Sequence, residues 1–126
     1  MNVVLDTNII VSAALSPVGN PAKIIALIPE QEIQVYYCTG ILSEYSDVLS
    51  RPRLKIPAEI QRRIINAILR AGILLEPTAS TIPLPDETDR IFYDTAKEAG
   101  AILITGNIKH YPAENFIMTP SQFLNF

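Results

Sequence analysis

One cysteine and one histidine are all that this chain holds of the residues that build disulfides and soft metal sites. Cys38 has no partner within the chain, so no intramolecular disulfide is possible and a reducing, cytoplasmic setting is expected. No apolar stretch approaches the ~18 residues needed to cross a bilayer, so no membrane partner is expected. The N-terminus has neither a basic lead-in nor a cleavage site, and no removable leader is expected there. The glycine signatures of nucleotide and hydrolase sites are missing as well: there is no P-loop, no G-x-G-x-x-G and no G-x-S-x-G. A Ser-His-Asp mechanism would rest wholly on His110, which is expected to be a loop residue without a catalytic role. Repeats, low-complexity runs and internal linkers are also absent, and 126 residues fit a single domain over 1–126.

What is present is a well-filled core and an unevenly spread charge. Hydrophobic residues make up 48% of the chain and its mean hydropathy is positive, at +0.24. A core of this size should bury roughly two-thirds of the unfolded surface. The net charge of −3 speaks mildly against a general nucleic-acid coat. Its distribution matters more. Arg51, Arg53, Lys55, Arg62, Arg63 and Arg70 gather six of the ten basic residues in one stretch. They form either a solvated helix face or a phosphate-contacting rim, with Arg51, Arg53, Arg62 and Arg63 as candidate RNA contacts.

The chain is organised around its opening. Val3, Val4 and Leu5 are short, β-rich and apolar, and the run stops at Asp6. Such a run reads as a central strand buried on both faces of a parallel sheet, with the carboxylate at its C-terminal end. That edge is where open α/β sheets bind ligands. A helix is expected over 8–15. Another is expected from Asn20 as N-cap, with Pro21 first inside it. The second strand runs from Ile33 to Thr39 and is ended by Gly40, with a helix over 41–49 beyond it. Pro57 opens a helix in which Ile60, Ile64, Ile65, Ile68 and Leu69 form an apolar stripe opposite arginines 62, 63 and 70. A short strand at 73–75, an irregular proline-bearing stretch at 76–85 and a helix over 87–99 follow. Strands at 101–105 and 116–118 and a terminal helical turn complete an α/β sandwich.

Three positions can join Asp6 at the same edge. Glu44 falls at the margin of the Ile41/Tyr45/Val48 stripe, about 40° from Val48, where a helix borders a cleft. Asp47 points outward. Asp89 opens the 87–99 helix, with Asp86 as its cap. Asp94 lies about 140° around from Asp89, so the two should not share an ion. Asn107 follows a buried strand and a glycine, and is either a neutral oxygen ligand or an αL turn residue. Clustered carboxylates repel and call for a cation, and oxygen-only donors favour Mg²⁺ or Mn²⁺. Such a site suits phosphodiester hydrolysis.

Taken together, Val-Val-Leu-Asp6-Thr-Asn8, Glu44 after a strand, Asp89 seven residues before Ala96, and Ala-Ile-Leu-Ile-Thr105-Gly106-Asn107 resemble the PIN-domain ribonucleases. The nearest branch is similar to the VapC-like toxins of prokaryotic toxin–antitoxin pairs. The resemblance covers essentially the whole chain and implies a three-layer α/β/α sandwich around a parallel sheet of four to five strands. It further implies a Mg²⁺- or Mn²⁺-dependent endoribonuclease, often a homodimer, silenced by a small antitoxin. On the matching positions, Asp6, Glu44 and Asp89 are the core acids, with Thr7, Asn8 and Thr105 as supporting polar groups. Asn107 stands where many members carry a fourth aspartate, which puts a second ion in question. Two other classes remain: a degenerate PIN domain that only binds RNA or a partner, and a phosphatase with an aspartyl nucleophile. The phosphatase lacks its second aspartate, because Asn8 stands two residues after Asp6.

Overall fold

Three consecutive residues, Val3, Val4 and Leu5, are each 0% exposed in the computed structural model, which describes residues 1–126. Neighbours in a strand point to opposite faces, so full burial of all three means that both faces of this strand are covered. The strand, β1 (Asn2–Leu5), is the centre of a five-stranded, all-parallel sheet. It is followed by α1 (Thr7–Leu15), α2 (Asn20–Ala26), β2 (Gln34–Tyr37), α3 (Thr39–Leu49) and α4 (Ala58–Ala71). The chain continues through β3 (Ile73–Leu74), α5 (Arg90–Ala99), β4 (Ile102–Ile104), β5 (Ile117–Met118) and α6 (Pro120–Leu124).

The strand order is β3-β2-β1-β4-β5. The chain therefore builds outward from β1 in one direction and then returns to build outward in the other. β1 pairs with β4 through Val3↔Ile102, Val4↔Leu103 and Leu5↔Ile104. The crevice between the C-terminal ends of β1 and β4 is the topological switch point, the usual ligand position in such sheets. Asp6 and Thr105 are the first residues beyond the two strands. The Asp6 amide extends the pairing by donating to the Ile104 carbonyl at 3.0 Å.

Helix α5 packs across β1, β2 and β4, and α4 packs on β2, while α1 contacts α2, α3 and α4. The core is continuous, from Ile9, Ile10 and Ile24 through Tyr45 to Phe92 and Leu103. The Tyr45 hydroxyl inside this core donates to the Leu5 carbonyl and ties α3 to the end of β1.

Several local expectations are corrected. The second helix is capped by Gly19, not Asn20, with no side-chain cap bond. Pro21 fits one place further in because the amides of the whole first turn lack intrahelical acceptors. Gly40 does not end β2: the strand stops at Tyr37, Cys38 is the cap, and Gly40 lies in the first turn of α3. The Ile91 side chain of α5 lies beside it, and a Cβ there would meet Ile91 at 3.5 Å, an ordinary packing distance. In α4, Ile64 and Ile68 are buried but Leu69 is 47% exposed. At 100° per residue Leu69 lies about 140° from Ile64, outside the stripe. The helix expected over 87–99 begins with a 3-10 turn at Glu87–Asp89 and ends at Gly100, whose φ of 62° is the left-handed conformation that glycine adopts freely.

Candidate functional site

Asp6 is the hub of the sheet edge. It caps α1, its Oδ1 accepting from the Thr7 amide at 2.7 Å. Its Oδ2 accepts two hydroxyls, Thr105 Oγ1 at 2.8 Å and Tyr111 Oη at 2.9 Å. The residue is 6% exposed. A buried carboxylate needs such donors to stay soluble in the fold.

The polar neighbours hold the surrounding turns. Asn8 Oδ1 accepts from the Gly106 amide at 2.8 Å, and its Nδ2 donates to Thr105 Oγ1 at 3.4 Å. Thr105 Oγ1 also accepts the Asn107 amide at 3.0 Å. The start of α1 is thereby clamped to the turn that follows β4. Thr7, itself buried, donates its hydroxyl to Glu44 Oε2. Half-buried Glu44 on α3 is thus joined to the residue beside Asp6.

Asp89 completes the group of acids. Asp86 does the capping, accepting both the amide and the hydroxyl of Thr88 at 3.0 and 2.8 Å, and this frees Asp89 to face inward. The side chain of Asp89 is 15% exposed, and its Oδ2 is buried without a hydrogen-bond donor. Burial pushes its carboxyl up to about 6, with the charges of Asp6, Asp86 and Glu44 adding to the rise and His110 opposing it. His110 Nδ1 stands 3.5 Å from that oxygen, too far for a good hydrogen bond. Asp94 turns away: its Oδ2 accepts the Ser80 amide at 2.9 Å and anchors the 76–85 stretch.

The donors suit a hard, water-carrying cation in chemistry: three carboxylates on three segments, one with an orphaned buried oxygen. They do not form a closed cage, as no three His, Cys, Asp or Glu side chains converge closely enough to enclose an ion. Mg²⁺ commonly binds through one or two carboxylates and keeps several waters, so an open arrangement is compatible with it.

Asn107 is exposed, with a φ of −122°, which removes the αL turn reading. It caps a 3-10 turn over Ile108–His110. The basic stretch is exposed and partly paired: Arg51 with Asp47 at 3.3 Å, Arg63 with Glu59 at 3.0 Å. Asp47 therefore points outward, as expected, and no such partner engages Arg53 or Arg62.

Two residues at the edge have no signal in the sequence pattern. Tyr111 reads as a loop aromatic before Pro112, yet it is 5% exposed and its hydroxyl reaches Asp6. His110, set aside as a loop residue, borders Asp89.

A family model described as the PIN domain matches residues 2–109. An uncharacterized protein of Methanocaldococcus jannaschii is 34% identical over 110 residues, covering 85% of this chain and 71% of that protein. Among solved structures, VapBC2 of Rickettsia felis, bound to a DNA fragment from its promoter, is similar with a TM-score of 0.61. That likeness spans 94% of this chain and 97% of the other at 20% identity, and it is a likeness of fold.

Proposed function

The chain belongs to the PIN-domain family, and from that premise we propose that it is a Mg²⁺- or Mn²⁺-dependent endoribonuclease, the toxin of a toxin–antitoxin pair. The observation that carries this reading is the buried, donorless Oδ2 of Asp89 held among the charges of Asp6 and Glu44. An uncompensated buried carboxylate of this kind costs stability unless a cation joins it.

In this reading Asp6, Glu44 and Asp89 hold the ion. When bound, it supplies polarisation of a phosphoryl oxygen, a lowered pKa for a bound water and an offset to leaving-group charge. The chain's own residues do the rest. Thr105 and Tyr111 fix Asp6, and Thr7 fixes Glu44. Asn8 keeps the Thr105–Asn107 turn against α1. Arg53 and Arg62, with Arg51 and Arg63 beside them, supply cations for RNA phosphates on an otherwise acidic protein.

A homodimer and a small antitoxin partner belong to the same proposal, the antitoxin being supported by the fold likeness to VapBC2. A cytoplasmic location is supported by the free, buried thiol of Cys38. A small DNA-binding protein encoded in the adjacent reading frame would supply the antitoxin. Its absence would detach the toxin assignment and leave the nuclease.

The deciding experiment is incubation of purified protein with RNA and Mn²⁺, with and without EDTA. Cleavage that needs the metal and disappears in Asp89→Asn supports the proposal. A second reading, a PIN domain that binds RNA or a partner without cutting, draws on the open acid arrangement and the neutral Asn107. It predicts RNA retention with no metal-dependent cleavage.

A further inference from the structure

A carboxylate offers about four acceptor positions, two on each oxygen. Three of the four on Asp6 are taken. Oδ2 receives both Thr105 Oγ1 and Tyr111 Oη, at 2.8 and 2.9 Å, and Oδ1 receives the Thr7 amide at 2.7 Å. The one position left is on Oδ1. Oδ2 is filled only when both hydroxyls are in place, because either one alone would leave a lone pair open there.

We propose that Tyr111 is a positioning residue that restricts Asp6 to single-oxygen coordination, and thereby sets the site's preference for Mg²⁺ over the larger Ca²⁺. The inference rests on Asp6 being a metal ligand, as in the proposed function. Its physical basis is the difference between the two ions. Mg²⁺ demands near-ideal octahedral geometry from single oxygens, while Ca²⁺ accepts more ligands and often takes a carboxylate by both oxygens. A carboxylate whose second oxygen is filled by two hydroxyls cannot be taken by both.

Two further features fit this role. Tyr111 is 5% exposed, so its ring is held by packing. Its hydroxyl is also the only donor to Asp6 from the segment after the Asn107 turn, and it ties that segment to β1.

The test is direct binding of Mg²⁺ and of Ca²⁺ by calorimetry, in wild type, Tyr111→Phe and Thr105→Val. Tyr111→Phe keeps the ring and deletes only the hydroxyl. The proposal expects the Ca²⁺-to-Mg²⁺ affinity ratio to rise about fivefold or more in Tyr111→Phe, close to a 1 kcal/mol change in preference. Should that variant fail to fold, Thr105→Val, which opens the same oxygen, must raise the ratio. A merely structural Tyr111 would lower both affinities together and leave the ratio where it was, which overturns the inference while the nuclease reading stands. A wild type that binds neither ion overturns both.

Discussion

The Thr7 hydroxyl donates to Glu44 Oε2 across 37 residues of chain, from the first turn of α1 to the middle of α3. The second acid is therefore oriented by the immediate neighbour of the first. Val at position 7 would keep the shape and lose the donor. Thr7→Val should retain the fold, lower RNA cleavage by about 10–100-fold and raise the metal concentration needed for half-maximal rate. Unchanged metal dependence in a folded variant would make Thr7 a packing residue only.

Asp89→Asn should abolish cleavage and, in the metal-free protein, raise the melting temperature at neutral pH. The sign follows from the raised carboxyl: the folded value near 6 exceeds the unfolded value near 4. Below about pH 4 both states are protonated and no penalty exists. As pH rises toward 6 the unfolded chain ionises first, and the folded state loses stability across that window. Melting curves of wild type and variant should coincide near pH 4 and separate by about 3 °C or more at pH 7. A constant gap at all pH values would remove Asp89 from this account.

Asp6→Asn should also abolish cleavage, but at a cost to the fold. Relief of repulsion alone would leave the variant as stable as wild type or slightly more so. The structure argues the other way, since the carboxylate accepts from Thr7, Thr105 and Tyr111. An amide nitrogen facing two hydroxyls forfeits some of these bonds, and the expected loss is about 1–3 kcal/mol in chemical denaturation. An unaltered denaturation midpoint would contradict the hub role.

RNA affinity should fall with rising salt, and the arginines should contribute unequally. Arg53 and Arg62 have no carboxylate partner, whereas Arg51 and Arg63 must leave Asp47 and Glu59. The double variant Arg53→Ala/Arg62→Ala should flatten the log–log salt slope by about 0.7 per lost contact. The Arg51→Ala/Arg63→Ala pair should flatten it less. Slopes identical to wild type would return the stretch to ordinary solvated surface.

Asn107→Asp should strengthen binding of a second divalent ion and lower the metal needed for cleavage, because the exposed turn two residues beyond Thr105 then carries a further carboxylate. The metal-free variant should melt lower, since another carboxylate joins a repelling set. Calorimetric Mn²⁺ titration with melting curves checks both. Equal stoichiometry and equal melting would leave Asn107 as a turn residue.

The parts legible in the sequence are those where local pattern and global position agree. Val3-Val4-Leu5 before Asp6 announces a doubly buried strand with an acid at its end, and Ala101–Thr105 repeats the signal for the strand beside it. Asp86 and Asp89 separate into cap and inward acid because spacing alone distinguishes them. Gly40 looks like a strand stop in the sequence because glycine commonly marks chain breaks, and only the fold shows it inside the first turn of α3. Leu69 belongs to the apolar run of α4, but its angle from Ile64 carries it to the surface. Tyr111 stayed invisible because its meaning lies in a bond to a residue 105 positions earlier. No periodicity encodes such a pair.

That same distance shapes how the protein reaches its working state. Strand β1 is complete after five residues, but Asp6 waits for Thr105 and Tyr111, 99 and 105 residues further on. Pairing of β1 with β4 closes nearly the whole chain into one loop, a contact of high sequence separation whose closure entropy must be met before any contact rewards it. In an incomplete chain the acid at the hub lacks both hydroxyls that fill its Oδ2. During synthesis, a polypeptide that has emerged only as far as α5 can carry Asp6, Glu44 and Asp89 and still lack the frame that aligns them. Alignment of the three acids and completion of the sheet therefore arrive late and together, once the segment carrying Thr105 and Tyr111 has docked.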